Sequence, residues 1–288
     1  MLLLDRLRAR IAEMGDAPDH QRLAAEVLGI RNAPPDLARR LVLQALVVED
    51  RRAAWRLAGE RICARAPAAP GVYVLRDDLG RAVYVGKAIN LRRRLRAHFA
   101  GRRWRGLKAE LARAADAEWQ EVGSELEALL REAELIHELR PIVNVQTGPP
   151  DLDARRIPKA LVRDVIVVLP SVEAASVQLV AARTSGGWLI QPTPRSGADL
   201  AVHTARLLRF FVSPLRRTFS SAPLAPIVFS WLAWRGASAT RLDPHDAASP
   251  RELRARLAAL LADEELFAGR IVATGSRFRA PDRTGTDA

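Results

Sequence analysis

Cysteine is almost absent from this chain of 288 residues, which contains only Cys63. A single thiol excludes an internal disulfide framework, an all-cysteine metal site and an iron–sulfur cluster, because each needs several cysteines. Long apolar runs are missing too: no stretch reaches membrane-spanning length, and the opening MLLLDRLRARIAEMG is too interrupted by charge for a signal peptide. We therefore expect a protein of the reducing cytoplasm with no membrane partner.

Acidic residues are few relative to basic ones. Forty-five Lys and Arg oppose 33 Asp and Glu, which gives a formal net charge of +12. This excess fits a polyanionic partner, or simply a solvated surface in an arginine-rich composition. It is also local: residues 81–113 hold eleven basic residues and one acid, whereas residues 116–138 hold eight acids and one base. A domain with one strongly basic side is expected to face a polyanion.

Aromatic residues make up 5% of the chain, and its two tyrosines both lie within residues 70–99. There the apolar alternations 71–75 and 82–85 flank Asp-Asp-Leu-Gly, a turn composition that predicts a β-hairpin. Each strand carries one tyrosine, Tyr73 or Tyr84. The helix predicted from about 88 to 99 carries several arginines. Polar aromatics on paired strands beside an arginine-rich helix suit a site that grips and cleaves phosphodiesters.

A further helix is predicted up to Leu139, because Ser124 and Glu127 have the spacing of a capping box. Four charged residues share a side of this helix that is expected to face water: Glu127, Arg131, Glu134 and Glu138. Glu132 instead has apolar neighbours, where a carboxylate is costly to bury unless a cation pairs with it. An internal arginine would suffice as that cation.

The hairpin and both helices carry a resemblance to a known family. Gly71-Val72-Tyr73 and Tyr84-Val85-Gly86 resemble the paired signatures of GIY-YIG endonucleases. The continuation from Lys87 is similar to the version in UvrC, the incision subunit of bacterial nucleotide excision repair, and extends to Asn144. It covers roughly residues 67–147. The resemblance implies an α+β fold in which a small three-stranded antiparallel sheet is flanked by helices.

The resemblance also implies a role for each matching residue. Glu132 would hold one divalent ion, Mg²⁺ or Mn²⁺, and Arg94 would neutralise the scissile phosphate. Tyr84 would act as the base or orient the attacking water, with Tyr73 as its hydrogen-bonding companion. Further residues would support these groups: Lys87, Asn144, Gly71 and Gly86.

One position departs from the family pattern. UvrC-like domains commonly have a tyrosine one turn past the arginine, where this chain has His98. Imidazole can hydrogen-bond similarly, but it titrates near neutrality, so we expect a different pH dependence. The remaining arginines nearby are expected to contact nucleic-acid phosphates: Arg92, Arg93, Arg96, Arg102, Arg103 and Arg105.

Residues 1–62 predict a helical module in which three helices precede two short strands at 47–50 and 54–58. This order fits either a winged helix-turn-helix, with Arg39 and Arg40 on its third helix contacting DNA, or a plain helical packing module. No choice between the two follows from the sequence.

The second half of the chain resembles no family that we can name. Residues 155–276 predict a C-terminal α+β domain of unassigned role, with strands at about 160–169, 177–182 and 188–191. The tail over 277–288 is expected to be disordered.

The sequence as a whole predicts a free-standing, metal-dependent DNA endonuclease of DNA repair that nicks one strand. The expected substrate is damaged or branched duplex DNA, the expected location is the nucleoid of the cytoplasm, and a repair-protein partner is anticipated without being identified. Two alternatives stay open. One is a DNA-binding protein with a non-catalytic GIY-YIG fold, and the other is a nuclease that acts on RNA.

Overall fold

The computed structural model describes residues 3–15, 17–100, 110–144, 148–212, 223–235 and 239–263. Within these ranges the helices are α1 (Leu3–Met14), α2 (His20–Glu26), α3 (Pro35–Arg65), α4 (Leu91–His98), α5 (Glu125–Leu139), α6 (Leu200–Val212), α7 (Ala225–Arg235) and α8 (Pro250–Ala262). The strands are β1 (Gly71–Arg76), β2 (Ala82–Ala88), β3 (Asp116–Glu121), β4 (Val165–Pro170), β5 (Ser176–Ala182), β6 (Trp188–Pro194) and β7 (Thr240–Leu242). None of the described helices is both long enough and apolar enough to span a membrane.

The N-terminal region differs from the predicted winged helix-turn-helix. Both expected strands, 47–50 and 54–58, lie inside α3, which is one continuous helix of 31 residues. Most residues around the two valines at 47 and 48 are strong helix formers, and Trp55, Ala58 and Ile62 recur at helical spacing. These three side chains are buried against the sheet that follows, so helix burial overrides the local strand preference. The wing of the predicted module is therefore wrong.

Helix α3 joins two cores. Its first half packs on α1 and α2 through Ala38 and Val42, while its last turns pack on the first sheet through Trp55 and Ile62. The boundary predicted near residue 62 thus falls inside an element that belongs to both sides.

A three-stranded antiparallel sheet follows in the order β2-β1-β3, as the sequence predicts. The hairpin turn is fixed by Asp77, whose buried carboxylate accepts hydrogen bonds from the backbone N–H groups of Leu79 (3.1 Å) and Arg81 (2.8 Å). Gly80 takes a positive φ of 75° in this turn, which glycine adopts without strain. The turn thereby sets the β1–β2 register that positions both tyrosines.

A second antiparallel sheet has the order β6-β5-β4-β7. Helices α6 and α8 cover one face, and α7 covers the other. The three strands predicted for this half are present, although the first begins at Val165 and not near residue 160, and the short β7 is an addition. The expected tail lies outside the described residues.

Helix α5 lies between the two sheets. Ala128 and Ile136 pack on the first sheet, while Leu126 and Leu130 join the core formed by β4, β5 and α7. Glu127 was expected to face water but is 3% exposed, and its carboxylate accepts from the N–H of Gly123 at 3.0 Å. That expectation is wrong because a helical wheel cannot show that a second sheet covers this side.

Candidate active site

The register of the hairpin brings the two tyrosines to one face of the first sheet. Tyr73 lies opposite Gly86, and Leu75 lies opposite Tyr84, so the two rings approach with centroids 6.0 Å apart. A Cβ on Gly86 would stand 2.6 Å from the hydroxyl oxygen of Tyr73 and 2.8 Å from the ring of Tyr84. Glycine at position 86 is therefore required by the space that the tyrosines occupy.

Gly71 is constrained in the same way at the start of β1. A Cβ there would lie 2.5 Å from the carbonyl oxygen of Gln120 on β3 and 2.6 Å from Cδ1 of Leu91 on α4. Its small size lets α4 pack closely on the sheet, which brings the arginines of α4 to the tyrosines.

Helix α4 presents Arg94 and His98 on the side that faces the sheet. It starts at Asn90, whose side chain accepts from the N–H of Arg93 at 2.9 Å. Nε of Arg94 donates to the Tyr73 hydroxyl at 3.4 Å, and the same hydroxyl lies 2.6 Å from Nε2 of His98. The three side chains therefore form one hydrogen-bonded row.

The protonation of this row follows from burial. Tyr73 is completely buried, and desolvation, followed by the nearby Tyr84, raises its pKa above the ordinary value. Tyr73 thus stays neutral and has one proton to donate. Its oxygen accepts from Arg94, and the same hydroxyl shares a hydrogen bond with Nε2 of His98, in which either group can donate according to the imidazole tautomer.

Arg94 holds its charge firmly. Burial opposes the charged form, but hydrogen bonds and electrostatic contact with Tyr73 and Tyr84 outweigh it and raise the pKa of the guanidinium. The side chain is otherwise exposed to solvent, so its remaining donors are available to a ligand.

Glu132 projects from α5 towards the edge strand β2. Burial raises the pKa of its carboxyl group, while the positive charge and backbone N–H of Lys87 and the charge of Arg94 act in the opposite direction. Among the described residues Glu132 makes no ion pair, which argues against the internal-arginine alternative. A half-buried carboxylate without an ion pair fits a divalent cation, whose charge would offset the cost of burial.

The donor set for such a cation consists of one carboxylate. Across the described ranges no three His, Cys, Asp or Glu side chains come together as metal ligands. Mg²⁺ commonly keeps several waters and takes one or two carboxylates from the protein, so a single glutamate facing a solvent-filled cleft is compatible with it.

Asn144 fixes the geometry of β2 from outside the sheet. Its side-chain amide donates to the carbonyl oxygen of Val85 and accepts from the Val85 N–H, both at 2.9 Å. The N–H of Val143 also donates to Val83 at 3.0 Å. Residues 143–144 thus pair with the backbone groups of Val83 and Val85 at the open edge of β2. This pairing holds the neighbouring side chains of Tyr84 and Lys87 in position.

These groups open into a cleft of about 1220 Å³. Tyr84, Lys87, Arg94, Glu132 and Asn144 line one wall, whereas Tyr73 lies behind them as a buried support. Every predicted catalytic residue is thus brought to one place, at the edge of β2.

The predicted phosphate-contacting arginines are placed differently from one another. Arg93 lines the cleft, but Nε of Arg92 donates to the carbonyl of Ala66 at 2.6 Å and ties α4 to the end of α3. Arg96 is exposed on α4, and Arg39 and Arg40 are exposed on α3. Three predicted residues lie outside the described ranges: Arg102, Arg103 and Arg105.

Sequence reasoning missed the opposite wall of the cleft. It is formed by the C-terminal half, chiefly by α7 and by the segment that contains Arg155. Trp231, Trp234 and Arg235 line it. In the sequence this wall is visible only as a short apolar segment that contains two tryptophans. Nothing in that pattern indicates that the segment faces the hairpin.

Comparison with known proteins identifies the first wall. Residues 69–145 match the family model of the UvrC-like GIY-YIG domain. The UvrABC system protein C of Desulforudis audaxviator is 44% identical over 79 residues, which are 27% of this chain and 13% of that protein. The corresponding protein of Paenarthrobacter aurescens is 48% identical over 83 residues, or 27% of this chain and 12% of that protein. The chain thus spans about an eighth of the length of these curated relatives.

A solved structure gives a similar match. The GIY-YIG N-terminal endonuclease domain of UvrC from Thermotoga maritima, bound to its catalytic divalent cation magnesium, is 33% identical. The match covers 30% of this chain and 96% of that chain, with a TM-score of 0.25. The residues matched by the family model end before α7, so the opposite wall of the cleft lies outside the match.

Proposed function

We propose that this chain, whose residues 69–145 match the model of the UvrC-like GIY-YIG domain, is a metal-dependent nuclease that nicks one strand of DNA during repair. The observation that carries the proposal is the convergence of Tyr84, Arg94, Glu132 and Lys87 on one wall of a single cleft. A phosphodiester placed there meets a phenol, two cations and a carboxylate at once.

The roles follow from where each group lies. Glu132 would hold the divalent ion, Mg²⁺ or Mn²⁺, which supplies Lewis-acid stabilisation of the phosphate. Arg94 binds phosphate oxygens through its remaining guanidinium donors. Tyr84, the tyrosine that lines the cleft, orients the attacking water and, as a phenolate that has released its own proton to solvent, takes the proton of that water. Positive charge favours a phenolate, and Lys87 and Arg94 line the same wall.

Tyr73 and His98 act behind this wall as positioning residues. The neutral hydroxyl of Tyr73 accepts from Arg94 and shares a second hydrogen bond with Nε2 of His98, which restricts the orientation of the guanidinium. Because ordering by a second layer of hydrogen bonds reduces reorganisation during the reaction, this row supports charge stabilisation without touching the phosphate.

Nicking, rather than cutting both strands, is proposed because the described residues contain one such constellation. DNA is favoured as substrate by the similarity to UvrABC system protein C and by the basic segment 81–113. Damaged or branched duplex remains the proposed form of DNA, and a repair-protein partner remains part of the proposal.

Cleavage of supercoiled plasmid and of a branched duplex with Mg²⁺ or Mn²⁺ tests the proposal. Wild type should produce nicked circles, whereas Glu132→Ala and Arg94→Ala should leave the plasmid supercoiled. An intact plasmid with wild type in every metal and substrate would favour the binding-only alternative. Cleavage of an RNA copy of the branched substrate, with the DNA left intact, would favour the RNA alternative. Equal nicking by all three proteins would show that the site is wrongly assigned.

A further inference from the structure

The wall of the cleft opposite Glu132 presents an exposed aromatic ring. Trp234, on α7, is 71% exposed although it lines the cleft. A tryptophan in this position leaves a large apolar surface in water, a cost that is relieved when a flat partner stacks on it. This wall lies outside the residues matched by the nuclease family model, and the proposed cleavage chemistry gives it no role.

Charge around the ring favours an anionic strand. The cleft is lined by five basic side chains and two acidic ones. Arg155 and Arg235 lie on the wall with Trp234, so cations are present on both sides of the cleft. A ring for stacking beside arginines for the backbone is the combination by which proteins hold single-stranded nucleic acid.

Helix α5 connects the second wall to the catalytic wall. Arg235 lies 3.4 Å from the carboxylate of Glu125, the first residue of α5, and this contact ties the end of α7 to α5. Glu125 and Glu132 are seven residues apart, or about 10 Å along the helix axis at 1.5 Å per residue. Trp234 and Glu132 line the same cleft, so one bound strand can contact both.

We propose that Trp234 stacks on an unpaired nucleobase of the strand whose scissile phosphate lies at Glu132 in the same cleft. This proposal rests on the proposed nuclease function. It adds that the second wall recognises an unpaired nucleobase in the DNA. Arg155 and Arg235 then contact the flanking phosphates. Preference for locally unpaired DNA thereby arises from the C-terminal half and not from the nuclease fold.

Binding measured without cleavage tests this proposal separately from the nuclease activity. The full chain is titrated in EDTA against two fluorescent duplexes of equal length, one fully paired and one with an unpaired bubble. Trp234→Ala should weaken binding to the bubble roughly tenfold and change binding to the paired duplex little, because stacking is lost only where a base is free. Trp234→Phe should restore most of the affinity.

Val202→Ala is the matched control, since Val202 is an apolar side chain 65% exposed on α6 and does not line the cleft. It should bind both duplexes like wild type. Equal weakening of both duplexes by Trp234→Ala, or no weakening of either, would overturn the proposal; the second result would leave a protein partner as the occupant of this wall. Thermal unfolding of each variant confirms that the fold is intact.

A second readout tests the position. A fluorescent base analogue is moved one nucleotide at a time through the bubble, and its quenching should peak at one fixed position relative to the cleaved bond and disappear in Trp234→Ala. Failure of wild type to cleave, with the bubble preference intact, would refute the nuclease function alone. Cleavage with no quenching at any position would refute the stacking alone.

Discussion

The two walls of the cleft differ in how tightly their residues are constrained. On the first wall, Gly86 has no room for a side chain, Asn144 makes paired bonds to Val85, and Tyr73 satisfies two partners with one hydroxyl. On the second wall, Trp234 and Arg155 are exposed. Chemistry demands fixed neighbours, whereas stacking and phosphate contact tolerate many sequences. This explains why one wall carries a recognisable motif and the other does not.

The largest effect on cleavage is expected from replacing Glu132 on the first wall. Replacing Glu132 by Gln removes the carboxylate that would hold the metal ion, so cleavage should fall on the order of 10³-fold while DNA binding in EDTA persists. Plasmid nicking rates measure the first effect and fluorescence anisotropy the second. Glu138→Gln, at an exposed position of the same helix, is the control and should cleave like wild type.

The next largest effects should distinguish Tyr84 from Tyr73. Tyr84→Phe removes the hydroxyl proposed to take the proton and should reduce the single-turnover cleavage rate by about 10²-fold or more. Tyr73→Phe removes only the support behind the wall and should cost about tenfold. Single-turnover rates with excess enzyme measure both. Equal losses would mean that the buried and cleft-lining hydroxyls share one role, and the distinction drawn between them would fail.

His98 gives a pH signature. Nε2 of His98 shares a hydrogen bond with the Tyr73 hydroxyl; the neutral imidazole can accept that proton there, whereas the protonated ring can only donate. Wild-type cleavage should therefore decline several-fold as the pH is lowered from 8 to about 5.5. His98→Tyr should flatten this part of the pH–rate profile. An unchanged profile would show that the row does not control the reaction.

The thermal stability of the protein should reveal the free-energy cost of burying the Glu132 carboxylate. Because burial raises its pKa above the ordinary 4.5, the folded protein binds this proton more tightly than the unfolded chain does. Without metal, its contribution to stability therefore falls as the pH rises from about 4.5 through the raised pKa. Glu132→Gln should unfold at the same or a higher temperature than wild type at pH 8 in EDTA, and the difference should shrink at pH 4.

Added Mg²⁺ or Mn²⁺ provides the complementary measurement. A ligand that binds only the folded state raises the unfolding temperature, so the metal should stabilise wild type and leave Glu132→Gln unchanged. Equal shifts in both proteins would place the ion elsewhere.

The smallest effect is expected at α3. Arg39→Gln with Arg40→Gln should weaken duplex binding a few-fold at low salt and lower the slope of affinity against salt by about two, if both side chains contact phosphates. Arg254→Gln with Arg251→Gln on α8 removes the same charge from exposed positions and serves as the control. An unchanged slope would identify the N-terminal helices as a packing module.

The elements that depend on nearby residues could be predicted from the sequence. The alternation of apolar residues and the Asp-Asp-Leu-Gly turn predict the hairpin, and Ser124 with Glu127 predicts the start of α5. What failed depends on distant packing. The strands expected at 47–58 form a helix because Trp55 and Ile62 are buried on a sheet further along the chain.

The candidate site divides in the same way. Glu132 could be singled out from its apolar helical neighbours, because an isolated carboxylate breaks a local pattern. The short β7 and the cleft-facing position of Trp234 could not be predicted, since both depend on how the second sheet meets the first.

The meeting point of the two sheets is Gly123. A Cβ there would lie 2.4 Å from the carbonyl of Pro170 at the end of β4, so the two backbones touch with no side chain between them. Leu126 and Leu130 of α5 add apolar contacts to the second sheet beside this point, and these contacts oppose separation of the two layers. We therefore expect the gap to keep its width, so that the nucleic acid must bend or open to enter. Selection among DNA molecules then depends on how readily each one deforms.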